Sequence, residues 1–266
     1  MTLDVPPAWA ELIVSLAAMS WHRLVVLGGT DADKSSFCRL LCSHLASRSQ
    51  PVALLDADLG QKMIGPPACV SLARCIADGS LELERIRFVG EVSAATNVAG
   101  TVAATDRLAG AAGAARLVVY TSGLIHGPGI ALKRWKLDAL DPDHVVEIAR
   151  TSDDLAPLVA ALPPGRVHHL RPSTAARRKS PALREGNRRT SLLTALGDCR
   201  LEPMPVWWWR ISIARRWDQD ACARASSPMQ LAMIGRSALS DGPTTLTDRK
   251  SGQPPSPSSR TALGSA

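Results

Sequence analysis

An α/β fold, doubly wound around a mostly parallel sheet, is what the sequence predicts, on three observations. Short apolar runs rich in Val, Leu and Ile recur through the first 150 residues. Stretches with helical apolar spacing separate them, which is the alternation that a sheet covered by crossover helices requires. Apolar residues also make up 45% of the 266-residue chain, ample for a core.

Each element follows from its own pattern. HRLVVLGG (22–29) is a β-rich run ending in glycines, and DKSSFCRLLCSHLAS (33–47) then carries Phe37, Leu40, Leu41 and Leu45 at helical spacing. PVALLDADLG (51–60) is a second apolar run, ending in carboxylates and a glycine. RIRFVGEVS (85–93) and ARLVVYTSG (115–123) supply two more, with the Ala-rich, helix-compatible 97–114 between them. DHVVEIAR (143–150) reads as a strand, followed by a helix over SDDLAPLVAAL (152–162). Pro163-Pro164-Gly165 breaks the chain and closes a core expected over 1–165. A basic helical lid is expected at 166–200, interrupted at Pro181. Beyond it the pattern degrades. Residues 201–250, with the aromatic PVWWWRISIARRW, show no coherent domain signature, and 251–266 have the composition of disorder.

Charge is unevenly placed. The formal net charge is +7, yet 1–165 carry 14 basic and 17 acidic residues, whereas 166–200 carry nine basic against two acidic. A basic segment on a near-neutral body fits a polyanion partner, and equally a solvated helix face. The six cysteines form no CxxC pair, and Cys38 and Cys42 lie one helical turn apart as small buried hydrophobes. The first twenty residues have no basic start, and no apolar run approaches the roughly 18 residues of a membrane span. Cytoplasmic residence without membrane attachment is the expectation.

The stretch Gly28-Gly29-Thr30-Asp31-Ala32-Asp33-Lys34-Ser35 matches G-x-x-x-x-G-K-[ST], except that Asp33 replaces the second glycine. A strand precedes it and a helix follows, the context of a P-loop NTPase-like site. Such a loop holds phosphates with backbone N–H groups and a helix N-terminus, while its Lys pairs with the β/γ-phosphates and its Ser ligates Mg²⁺. About 22 residues past Lys34, the second strand ends in Asp56-Ala57-Asp58-Leu59-Gly60-Gln61. Carboxylates at that edge suit metal organisation and general-base work.

GGTDADKSSFCRLL, DADLGQKMIGPPACVSLA, FVGEVS, YTSGLIHGPGIALKRWKLDALDPDHVVEI and SPALREGNRR occur in that order. Together they resemble the P-loop polynucleotide 5′-hydroxyl kinases, which include RNA kinases of mRNA cleavage and tRNA splicing, the kinase of pre-rRNA processing, and shorter prokaryotic relatives. The resemblance spans about residues 20–195, and D-x-D-x-G-Q followed by I-G-P-P is its most specific part. It implies transfer of the ATP γ-phosphate to the 5′-hydroxyl of RNA, sometimes DNA. It implies that the 28–36 loop binds ATP, with Lys34 on the β/γ-phosphates and Ser35, together with Ser36, on Mg²⁺. Asp56 and Asp58 would divide metal organisation and deprotonation of the 5′-hydroxyl. Gln61 and Thr121-Ser122-Gly123 would meet the substrate end. Arg184 and Arg188, four apart on one helix face, would stabilise the transferred phosphoryl from the lid, with Arg177, Arg178 and Lys179 as further candidates.

Three departures accompany the resemblance. Asp33 stands where the family has glycine, and a carboxylate about 4 Å from a phosphate charge costs up to ~4 kcal/mol at an effective dielectric of 20. Tyr120 replaces an aspartate before Thr121, and Leu124 stands where eukaryotic members tend to have Trp. Two other classes fit parts of the pattern: a catalytically impaired descendant that binds nucleic acid or nucleotide, and a P-loop ligase or ATPase acting on a small metabolite. Lys133 and Lys136 fit either a nucleic-acid path or ordinary surface charge.

Overall fold

A computed structural model describes residues 5–113, 115–150 and 155–197. The expected C-terminal region and tail, 201–266, lie outside the described residues. Seven strands form one sheet: β1 (Arg23–Gly28), β2 (Val52–Ala57), β3 (Cys69–Cys75), β4 (Leu81–Phe88), β5 (Arg116–Thr121), β6 (His144–Ile148) and β7 (Val167–Leu170). Their order is β4-β3-β2-β5-β1-β6-β7. From β2 to β7 all pairings are parallel, and β3 and β4 add an antiparallel edge.

Helices cover both faces, so the expected doubly wound architecture is what forms. On one face, α1 (Pro7–Ala18) and α2 (Lys34–Ser47) bury Trp9, Leu16, Phe37 and Leu41 against Leu24, Val26, Leu54 and Val118. On the other, α3 (Val98–Gly110) and α4 (Pro128–Leu140) bury Val102, Leu108, Leu132 and Leu137 against Val25, Leu27, Leu55 and Val119. The alternation along β1 and β2 is the two-residue period of a strand buried on both sides, which is why these strands read as continuous apolar runs.

Several elements differ from expectation. Of the helix expected over 152–162, positions 152–154 lie outside the described residues, and the described remainder is helical only over α5 (Ala156–Val159). Pro181 does not interrupt a helix; it starts α6 (Pro181–Leu196), where its missing N–H costs nothing, and the Ser180 side chain caps the turn by accepting from Leu183 N at 3.2 Å. Strand β4 ends at Phe88, short of the run's glycine, and its outward Glu82 and Glu84 pair with Arg74 of β3. Charges on an outer strand discourage further sheet pairing. Elements α1, β3 and β7 were not expected. Strand β7 falls inside the predicted lid segment and pairs with β6, so the sheet extends past the Pro163-Pro164-Gly165 break.

Helix α1 is fastened at its start. Trp9 is fully buried, meets Phe37 edge-to-face at 5.5 Å, and donates from Nε1 to Arg171 O at 2.9 Å. Trp9→Ala is expected to destabilise the fold by about 3–5 kcal/mol. Chemical denaturation would read this as a lower midpoint with an unchanged slope.

Candidate functional site

Parallel pairing sets the carboxyl ends of β1, β2 and β5 side by side, with Asp56 opposite Tyr120 and Tyr120 opposite Val26. The loops leaving those ends enclose one cleft. Residues 30–35 form one wall, Asp58 and Gln61 the second, and Tyr120 and Gly123 the third. Arg177, Lys179 and Arg184 close the top.

The 28–35 loop turns tightly, and glycine is needed where the chain is crowded. A Cβ on Gly28 would lie 2.4 Å from Ile148 O, and one on Gly123 would lie 2.6 Å from Thr30 Cα. Thr30 completes that contact by donating from Oγ1 to Gly123 O at 3.1 Å. Asp31 and Asp33 both take left-handed backbone, with φ of 57° and 58°. Aspartate enters that region more readily than most non-glycine residues, so the loop keeps a glycine-like bend at Asp33. The Asp33 carboxylate accepts weakly from Ser36 Oγ at 3.4 Å, which occupies Ser36 as well.

Lys34 begins α2, is buried, and donates from Nζ to Gly29 O at 2.6 Å. Burial pulls its ammonium down to about 8, against the opposing attraction of Asp58. Ser35 lines the cleft; Ser36, turned to Asp33, does not.

The two carboxylates after β2 separate. Asp56 is fully buried and pairs with Lys62 at 3.1 Å, a lysine whose side chain is itself 1% exposed. It also accepts from the backbone N–H of Asp58, Met63 and Ile64, so it fastens the 58–64 loop and does not line the cleft. Burial raises its carboxyl above the usual range in spite of Lys62. Asp58 faces the cleft, and its Oδ1 accepts from Gly60 N at 2.9 Å and Gln61 N at 3.1 Å.

Gln61 joins this loop to the lid by donating to Arg184 O at 3.0 Å. Arg184 pairs with Asp31 in a short ion pair, and Lys179 N donates to the same Asp31 oxygen at 3.0 Å. Arg177 and Lys179 therefore share the cleft with Arg184, whereas Arg188 stands half-buried outside it. Thr121 is buried and donates to Val26 O at 2.7 Å; of the 121–123 stretch only Gly123 reaches the cleft. Tyr120, which stands in place of the aspartate that the resemblance implies, is a buried phenol, and burial pushes its ionisation far up, so it stays neutral.

Lys133 and Lys136 overturn both readings drawn from sequence. Each is 1% exposed, neither a surface charge nor part of a nucleic-acid path. Lys133 donates to Ser122 O at 2.7 Å and Thr121 Oγ1 at 3.3 Å, and Lys136 to Ala57 O at 3.0 Å. Burial holds both ammonium groups below their ordinary range, Lys136 at about 8. Their three-residue spacing on a helix with Leu132, Leu137 and Leu140 was the available signal that they face the core. The histidines stay out of the cleft: His168 meets His144 at 3.2 Å, and His169 meets buried Glu147 at 2.6 Å.

Comparison with known proteins places the chain among relatives. A family model described as mRNA cleavage and polyadenylation factor CLP1 P-loop matches residues 28–194. The chain is 33% identical over 171 residues to the polyribonucleotide 5′-hydroxyl-kinase of Pyrococcus furiosus, covering 60% of this chain and 47% of that protein. It is 29% identical over 133 residues to the human polynucleotide 5′-hydroxyl-kinase NOL9, covering 47% of this chain and 19% of that one. It spans about half the length of the archaeal relatives it matches. The wild-type Clp1p–Pcf11p complex shares the fold, with a TM-score of 0.56 at 14% identity over 73% of this chain and 56% of that chain.

The structure thus assigns Asp56 to support. Asp56→Asn is expected to destabilise the protein by about 3–5 kcal/mol, because it leaves the buried Lys62 ammonium uncompensated. Asp58→Asn, at the cleft surface, is expected to cost far less. Paired denaturation curves would check the contrast.

Proposed function

Because the chain belongs to the family described as mRNA cleavage and polyadenylation factor CLP1 P-loop, we propose that it is an ATP-dependent polynucleotide 5′-hydroxyl kinase, acting on RNA before DNA. The observation that carries the reading is the convergence of Lys34, Ser35, Asp58 and Arg184 on one cleft at the strand ends. A phosphate-gripping cation, a metal-binding hydroxyl, a carboxylate and a lid arginine are the parts that phosphoryl transfer uses, since its demands are positioning and charge stabilisation.

In this reading the β- and γ-phosphates lie against the 28–35 loop and the α2 N-terminus, whose first N–H groups lack partners within the helix. Lys34 exchanges Gly29 O for phosphate oxygens. Asp58 accepts the proton of the 5′-hydroxyl, the O5′–P bond forms, and the bond between the γ-phosphorus and the β–γ bridging oxygen breaks to release ADP. Arg184, with Arg177 and Lys179, balances charge on the phosphoryl as it moves. Gln61 and Gly123 border the acceptor end.

Ser35 is the residue that would hold Mg²⁺, which supplies charge neutralisation on the phosphates when bound. The donor set fits: a hydroxyl with carboxylate nearby suits a cation that keeps several waters and takes further oxygens from nucleotide. Among the described residues no three His, Cys, Asp or Glu side chains group as a metal site. Residues 171–197 act as the lid over a core that runs to β7. A cytoplasmic setting is supported by the free buried thiols of Cys38, Cys42, Cys69 and Cys75 among the described residues; a place in RNA processing or repair is part of the proposal. No helix among the described residues is long and apolar enough to cross a membrane.

The test is transfer of labelled γ-phosphate from ATP to a short 5′-hydroxyl RNA with Mg²⁺. The native chain is expected to label the RNA, and Lys34→Ala to lower the rate about a hundredfold or more. Asp33→Gly is expected to bind ATP more tightly, because the glycine keeps the left-handed bend and removes a negative charge from the loop. No transfer by either the native chain or Asp33→Gly would overturn the reading.

A further inference from the structure

Two ammonium groups sealed beneath the cleft call for an account of their own. Lys133 and Lys136 project from one face of α4 into the apolar layer that holds Leu132, Leu137 and Leu140. Stability alone does not place lysine there. Desolvating a charge is costly, and an apolar side chain of the same length would pack that layer without the cost. What the two amines do have is a specific pair of targets. Strand β2 ends at Ala57 and β5 ends at Thr121, so the carbonyls that follow leave the sheet ladder just where the cleft begins. Lys136 takes the Ala57 carbonyl at 3.0 Å, and Lys133 takes the Ser122 carbonyl at 2.7 Å.

The spacing suits the task. Residues three apart on a helix stand roughly 5–6 Å from one another, and neighbouring strands lie about 4.8 Å apart. One turn of α4 therefore reaches two adjacent strand ends at once. Each carbonyl belongs to a peptide that leads straight into a cleft residue: Ala57 O to Asp58, and Ser122 O to Gly123. Asp58 is then held from behind by Lys136 through the backbone and in front by the N–H groups of Gly60 and Gln61. Gly123 is held by Lys133 on one side and by Thr30 on the other. Thr121 extends the second bracket, since its hydroxyl contacts Lys133 and donates to Val26 O of β1.

We propose that Lys133 and Lys136 are positioning residues, a two-pronged bracket on α4 that fixes the β2 end carrying Asp58 and the β5 end carrying Gly123. The assignment rests on the kinase reading for its catalytic consequence but not for its structural one. Neither lysine touches the cleft, so each acts through the peptide it holds.

The experiment compares Lys136→Met and Lys133→Met with the native full-length chain, with the Gln substitutions as partners that retain a donor. Melting temperature, amide hydrogen exchange over residues 57–62 and 121–124, and phosphate transfer to a 5′-hydroxyl RNA are read together. The bracket predicts a melting temperature lowered by no more than about 4–8 °C for either Met variant, since relief of the buried charge offsets part of the lost hydrogen bond. It predicts faster exchange over 57–62 in Lys136→Met and over 121–124 in Lys133→Met, each confined to its own segment. It predicts a kcat for Lys136→Met lower by roughly tenfold to a hundredfold, the range for displacing a positioned group. The KM for ATP in that variant should stay within about twofold, since the ATP contacts lie on the opposite wall. For Lys133→Met the KM for RNA should rise. The Gln variants should lie between Met and native. Failure to fold, a larger fall in melting temperature, or unchanged exchange in these segments would overturn the bracket and leave the lysines as ordinary structural groups. Absence of transfer by the native chain would remove the kinase reading alone, and the exchange pattern would then decide the bracket by itself.

Discussion

The parallel hydrogen bonding of β2, β5 and β1 is the constraint on which everything in the cleft depends. Parallel strands run their carboxyl ends to one edge, and the register that sets Asp56 against Tyr120 and Tyr120 against Val26 aligns three exits within a few ångströms. Loops that are distant in sequence then meet: residues near 30, 60 and 123 face each other although long stretches of chain separate them. No single loop forms the site. A slip of one residue in β5 would turn Tyr120 to the opposite face and carry Gly123 away from Thr30, a contact too close to tolerate any side chain.

Much of this was legible beforehand because the strongest signals are local. A strand, a glycine-rich turn and a helix opening with Lys34 depend on neighbouring residues, and they form where the pattern puts them. The sheet's outer parts were less legible. Strand β3 is buried along CVSLARC except at Arg74, so it carries no alternation to mark it. Strand β7 is four residues long inside a segment dominated by charge. Helix α1 did carry a signal, since Trp9, Ile13 and Leu16 follow helical spacing.

The site divided along the same line. Residue types at the right positions marked Lys34, Ser35, Asp58 and Arg184, but spacing cannot tell which of two carboxylates in D-x-D looks outward. That depended on Lys62, a residue with no motif value, which turns Asp56 inward by pairing with it. The role of Lys133 and Lys136 was obscured for a related reason: a lysine in a sequence reads as solvated, and that expectation outweighed their alignment with the apolar face of Leu137 and Leu140. Likewise Arg177 and Lys179 reach the cleft because the chain ahead of α6 is irregular, which a continuous helix would not allow.

Asp31 places a carboxylate against Arg184 and the Lys179 amide, inside the loop where phosphate would sit. The chain thereby supplies its own counter-ion to the lid. An incoming nucleotide would meet Arg184 already paired, and to reach it would displace an internal anion, trading one ion pair for another. Such an exchange has a smaller net electrostatic driving force than filling an empty cationic cleft, and it works equally in reverse. Departure of a nucleoside diphosphate would be met by Asp31 recapturing the arginine. In that sense the loop would act as an ion exchanger, in which tight closure and ready release are two ends of one substitution.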